Sequence, residues 1–174
     1  MTKEEVMLDI NRRILGSRRF KDNAAALGES KGLCIPGLHY AYNKFDVIGE
    51  ERFRGCHYEW HIEKPARISV AYHIESKVLF KKLGIDRYTL FGKHVSNELV
   101  RSGFDYSDIC FFNGNPADLG DHCYDVYGDV RQRYFWWVGF DICELSEYES
   151  FKEDVVLISD YLVRAVENSK WLLK

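Results

Sequence analysis

The stretch Cys56–Glu75, C-H-Y-E-W-H-I-E-K-P-A-R-I-S-V-A-Y-H-I-E, alternates apolar and polar side chains with a period of two. That period is the mark of β-strand, and Lys64-Pro65 interrupts it once, so the stretch reads as two strands joined in a hairpin. Alternate residues of a strand share a face. On the first strand Cys56, Tyr58, Trp60 and Ile62 oppose His57, Glu59, His61 and Glu63. On the second, Ile68, Val70, Tyr72 and Ile74 oppose Arg67, Ser69, Ala71, His73 and Glu75. One face is therefore expected to be core, and the other gathers histidines, carboxylates and an arginine.

That polar face carries the first candidate chemistry. Imidazoles and carboxylates are good ligands for zinc and other divalent metals. In this sequence His57, Glu59 and His61 share one side of a strand, and His73 can join them from the neighbouring strand. These four are the candidate metal ligands of a hydrolase or nuclease reading. The spacing differs from the helical H-E-x-x-H pattern, and a solvated strand face also favours polar residues. As a partner-binding surface the same face offers His57, Glu59, His61, Arg67 and His73.

Glu75-Ser76-Lys77 follows the second strand. In metal-dependent nucleases an E-x-K at a strand end holds Mg²⁺ and positions water, so Glu75 and Lys77 are the alternative catalytic pair, with Glu59 or Glu63 as an earlier carboxylate. Glu29-Ser30-Lys31 matches the same short pattern, and Ser76-Lys77 also reads as an ordinary helix start.

Outward from the hairpin, Thr2–Leu15 reads as a helix. Thr2 and Glu5 form a capping box, Val6, Met7, Ile10 and Ile14 form its apolar stripe, and Gly16 is a plausible stop. Arg12, Arg13, Arg18, Arg19 and Lys21 follow closely. They suit the negative end of a helix, and Arg12, Arg13, Arg18 and Arg19 are the alternative nucleic-acid contacts. A short helical turn is expected within Asn23–Lys31, and a strand within Leu38–Ile48.

After the hairpin, Ser76 caps a helix with Val78, Leu79 and Leu83 inward. Gly84 ends or kinks it, and a helix restarts at Asp86 with the stripe Phe91, Val95 and Leu99 and ends at Gly103. Ile109–Phe112 is a short apolar run. Cys123–Tyr127 and Arg131–Cys143 read as a second hairpin, whose long arm is apolar on both faces as in a covered strand. Its aromatics beside Arg131 and Arg133 also have base-stacking chemistry. Asp121, His122, Cys123 and Asp125 form a further cluster, without the orienting residue a Cys nucleophile needs. Ser146 and Glu149 make another capping box. A long C-terminal helix then carries Tyr148, Phe151, Val155, Ile158, Leu162 and Ala165 inward, with Trp171, Leu172 and Leu173 docking the tail.

The expected architecture is α+β and a single domain over 1–174: an antiparallel sheet built from two hairpins, packed on one side against helices, among them the long C-terminal one. A chain of 174 residues can bury a sizeable core. The net charge of −3 argues against a dedicated nucleic-acid binder. Five widely spaced Cys, with no C-x-x-C pair, suggest free thiols in a reducing, cytoplasmic setting. No apolar run approaches the roughly 20 residues of a membrane span.

The segment Y-E-W-H-I-E-K-P-A-R-I-S-V-A-Y-H-I-E-S-K-V-L-F-K-K-L, Tyr58–Leu83, resembles an uncharacterised bacterial domain family found beside or fused to restriction endonucleases. The resemblance implies microbial or phage defence biology and carries over no catalytic residue. The leading expectation is a small cytosolic protein that binds a macromolecular partner, foremost another protein, through the polar hairpin face and without a cofactor. A metal-dependent hydrolase and a nucleic-acid accessory protein are the alternatives.

Overall fold

A computed structural model describes residues 1–16, 30–33, 42–46, 56–63, 66–74, 77–114 and 135–174. The hairpin is as the alternation predicts. Strand β3, Cys56–Glu63, pairs antiparallel with β4, Arg67–Ile74, from Cys56 opposite Ile74 to Glu63 opposite Arg67. Ahead of it lie helix α1, Lys3–Gly16, and strands β1, Ser30–Leu33, and β2, Tyr42–Asp46. After it come α2, Lys77–Arg101, β5, Ile109–Gly114, β6, Phe135–Glu144, and α3, Tyr148–Ser169. Among the described residues the strands form one sheet in the order β1-β2-β3-β4-β6-β5, with every neighbouring pair antiparallel. The fold is α+β.

Strand β6 lies between β4 and β5, so β4 and β5 run the same way with α2 as the crossover between them. This is a split βαβ unit rather than a row of hairpins. The first arm of the expected second hairpin, Cys123–Tyr127, lies outside the described residues. Its second arm is β6, and the partners of β6 here are β4 and β5. The helical turn expected through Ala24–Leu27 lies outside the described residues, and Ser30–Leu33 form β1. Four residues without alternation give little periodic signal.

The helices cover the face that bears Tyr58, Trp60 and Ile62. These three, with Ile68, Val70, Tyr72 and Ile74, share one core with Val6, Met7, Ile10 and Ile14 of α1, Phe91, Val95 and Leu99 of α2, and Val155, Leu162 and Val166 of α3. The indole N–H of Trp60 donates to Ser159 Oγ at 2.7 Å, and Ser159 donates onward to the Val155 carbonyl at 2.6 Å. A wide apolar strand face is thus pinned to α3 by a buried polar pair.

Helix ends follow local chemistry. Thr2 and Glu5 cap α1 reciprocally, at 2.7 and 3.2 Å. Gly84 breaks α2 at φ 71, ψ 168, a region open almost only to glycine. The capping box before α3 joins Glu144 and Glu147, two residues ahead of the expected Ser146–Glu149 pair, because a 3-10 turn over Leu145–Glu147 precedes the helix. The buried stripe of α3 is centred on Val155, Ser159, Leu162 and Val166. Phe151 falls on its flank and is 38% exposed, contrary to its inward assignment. The tail docks through Leu172 and Leu173, whereas Trp171 faces outward.

One close approach fixes the middle of the sheet. A Cβ on Gly139 would collide with the Val70 carbonyl oxygen and lie 2.6 Å from Ala71 Cα, so β6 meets β4 only with glycine there.

Candidate functional site

The sheet face away from the helices is ordered in rows, because cross-strand partners point to the same side. Asp46 pairs with His57, His57 with His73, His73 with Trp137, and Trp137 with Phe112. The next row runs Lys44, Glu59, Ala71, Gly139, Cys110. A third holds Tyr42, His61, Ser69 and Asp141. The sequence singled out His57, Glu59, His61 and His73 but not Asp46, whose place depends on the register between β2 and β3. Asp46, His57, Glu59 and His61 are placed here by strand register alone. Among the residues with described side chains, no three of His, Cys, Asp or Glu gather as a metal-ligand group.

Strand β4 is covered on both faces from Ile68 to Ile74. His73 is only 2% exposed, and its ring stacks on Trp137 with centroids 6.4 Å apart and planes 21° apart. His73 is therefore not part of an open docking surface. Arg67 is half-exposed at the strand's start and lies 3.5 Å from Glu144 and 3.9 Å from Asp141. Its charge is matched by these neighbours. His57 and His61 lie four residues apart on one strand, about 14 Å by the rise of a strand. Glu75 lies outside the described residues, and Lys77 opens α2.

Of the arginine cluster, Arg12 and Arg13 are described, and both are paired with acidic side chains. Asp9, a buried carboxylate, accepts from Arg12, from Arg13 Nε at 2.6 Å and from the Tyr148 hydroxyl at 2.8 Å. Arg13 also donates to Glu153 at 2.6 Å. Burial alone would push the Asp9 carboxyl up, but the hydrogen bonds from Arg13, Arg12 and Tyr148 outweigh it and hold it below the usual carboxylate range. Burial and the same contact with Asp9 push the Tyr148 hydroxyl up. The cleft of about 430 Å³ beside them is lined by Asp9, Arg12, Arg13, Gly16, Glu153 and Val156. Its two cations face two anions. Arg18, Arg19, Arg131 and Arg133 lie outside the described residues, as do Asp121, His122, Cys123 and Asp125.

One serine–histidine pair is present among the described residues. His94 Nδ1 is 2.8 Å from Ser169 Oγ. Ser169 is buried and gives its only proton to the Ala165 carbonyl at 2.6 Å. It must therefore accept from His94, which leaves the imidazole as donor and not as the base a nucleophilic serine requires. The pair is a tie between α2 and α3. Beside it, Trp171 packs edge-on to His94, with centroids 5.6 Å apart at 90°.

No family model, curated protein or solved structure matches this chain.

Cys143 is a free thiol. Burial first, then Glu147, Glu144 and Asp154, push the Cys143 thiol up to about 11, so it stays protonated and inert at neutral pH. Among the described residues, no helix is long and apolar enough to cross a membrane.

Proposed function

We propose that the protein works by binding a macromolecular partner, another protein, through the surface where α2 meets the C-terminal turn. The observation that carries this reading is Trp171: 57% exposed, yet seated against His94 by an edge-on contact. Leu90, 50% exposed, lies one helical turn from His94 on the same side of α2. Trp is the residue type most often found at the energetic centre of protein interfaces.

On the neighbouring turns of α2, Lys93 is exposed and Glu98 is half-buried, so both signs of charge are present. A mixed rim suits a protein partner better than a nucleic acid or an anionic membrane. This moves the proposed contact away from the hairpin face named by the sequence, for a physical reason: His73 is buried and Arg67 is matched by acidic neighbours. The pairing of Arg12 and Arg13 with Asp9 and Glu153 weakens the nucleic-acid alternative in the same way. On the sequence resemblance alone, restriction and mobile-element proteins are the first partners to try.

The test compares the wild type with Trp171→Ala and Leu90→Ala, each checked for an unchanged melting temperature. Direct binding to purified candidate partners is measured by calorimetry, and self-association by sedimentation. The reading expects a partner whose affinity falls at least tenfold in both variants, about 1.4 kcal/mol. A partner bound equally well by all three proteins overturns this surface.

A further inference from the structure

We propose that His94 is the specificity-determining residue of the partner surface, its Nε2 accepting a hydrogen bond from an aromatic side chain of the partner that ends in a donor, as Tyr and Trp do. The inference rests on the reading of the Trp171 surface as a contact with another protein, and it names what that partner must present.

One buried proton decides the chemistry. Ser169 lies inside the joint between α2 and α3 and gives its single hydroxyl proton to the Ala165 carbonyl at 2.6 Å. A carbonyl only accepts, so that proton is committed. The 2.8 Å contact with His94 Nδ1 then requires Nδ1 to carry the hydrogen. A neutral imidazole holds one N–H, so Nε2 keeps a bare lone pair. The fold thus chooses the tautomer from within. The two ring nitrogens point in divergent directions, and an Nδ1 turned to buried Ser169 turns Nε2 away from the joint. His94 is half-buried, and among the described residues nothing bonds Nε2.

The exposed neighbours of this acceptor are apolar. Trp171 stands edge-on to the imidazole and is 57% exposed, and Leu90, 50% exposed, stands one turn away on the same side of α2. An acceptor beside an exposed indole and an exposed leucine suits a ring that carries a donor, and Tyr and Trp combine the two. A partner carboxylate would set lone pair against lone pair. A purely apolar side chain would strip Nε2 of its bond to water and return nothing, which costs free energy. The surface therefore discriminates by hydrogen bonding as well as by apolar area.

The experiment has two arms, both on the full chain. In the first, long-range ¹H–¹⁵N correlation at pH 8 reads the tautomer of His94, whose signals are assigned by their loss in His94→Asn. Expected is hydrogen on Nδ1 in the wild type and an admixture of the other tautomer in Ser169→Ala. Hydrogen on Nε2 in the wild type overturns the inference, whatever the surface binds. In the second arm, p-cresol, the tyrosine side chain, is compared with its methyl ether, which keeps the ring and lacks the donor. Each is titrated to its solubility limit while the Trp171 indole signal is followed. Expected is a preference for p-cresol of about three- to tenfold, the range for one neutral hydrogen bond. His94→Asn is expected to abolish the preference, because its amide N–H keeps the bond to Ser169 while the Nε2 acceptor is gone. Equal binding of the two probes at Trp171 leaves the surface standing and overturns the acceptor. No shift at Trp171 with either probe overturns the surface and the inference with it.

Discussion

The Tyr148 hydroxyl donates to Asp9 Oδ2 at 2.8 Å, joining residues 139 positions apart and tying the first helix to the last. Tyr148 is buried, and the carboxylate it serves is ionised. Tyr148→Phe keeps the ring and removes only this donor. It is expected to cost about 1.5–3 kcal/mol, the range for a hydrogen bond to a charged group, as read from the urea unfolding midpoint.

The same carboxylate sets an acid limit. The folded-state pKa of Asp9 is depressed below its ordinary value of 3.8. Its stabilisation is therefore complete above that value and is lost as the pH falls through the lower folded-state pKa. Asp9→Asn is expected to be less stable at neutral pH and to show a shallower loss below pH 4 than the wild type. Denaturant midpoints across an acid series measure both, and parallel profiles for the two proteins would contradict the assignment.

Ser159 is fully buried and accepts from the Trp60 indole. Ser159→Ala removes that acceptor inside the core. The expected cost is about 1–3 kcal/mol, the penalty of a buried donor that loses its partner. Thermal unfolding followed by near-UV circular dichroism gives the value together with the change in the Trp60 environment.

Cys143 is buried, with its thiol pushed up to about 11. Alkylation by iodoacetamide at pH 8 is expected to leave it intact in the folded protein and to modify it fully in denaturant. Peptide mass mapping reads this directly. Rapid native labelling of Cys143 would mean that the β6 end of the core opens readily.

Periodicity made much of the architecture legible. The stripe of α1, the Gly84 kink, and the split of the hairpin into Tyr58/Trp60/Ile62 against His57/Glu59/His61 all come from local spacing. Each residue's neighbours there lie a few positions away. What spacing could not supply was long-range. Alternation says which residues share a face but not whether something covers that face, so the burial of His73 was hidden. The row from Asp46 to His73 needs the relative register of β2, β3 and β4, which no single segment encodes. Phe151 was misplaced because a stripe about 100° wide leaves its flanking positions undecided until the helix is docked.

The position of β6 between β4 and β5 governs the order in which the chain can finish itself. Until residues 135–144 are made, the two strands joined by α2 have nothing between them. The outer edge of β4, all Ile, Val, Tyr and His from Ile68 onward apart from Ser69 and Ala71, then offers its backbone to any passing strand. A nascent chain released early is an edge-to-edge aggregation hazard. Strand β6 fills the seam between β4 and β5 and so covers the edge that each of them offers to it.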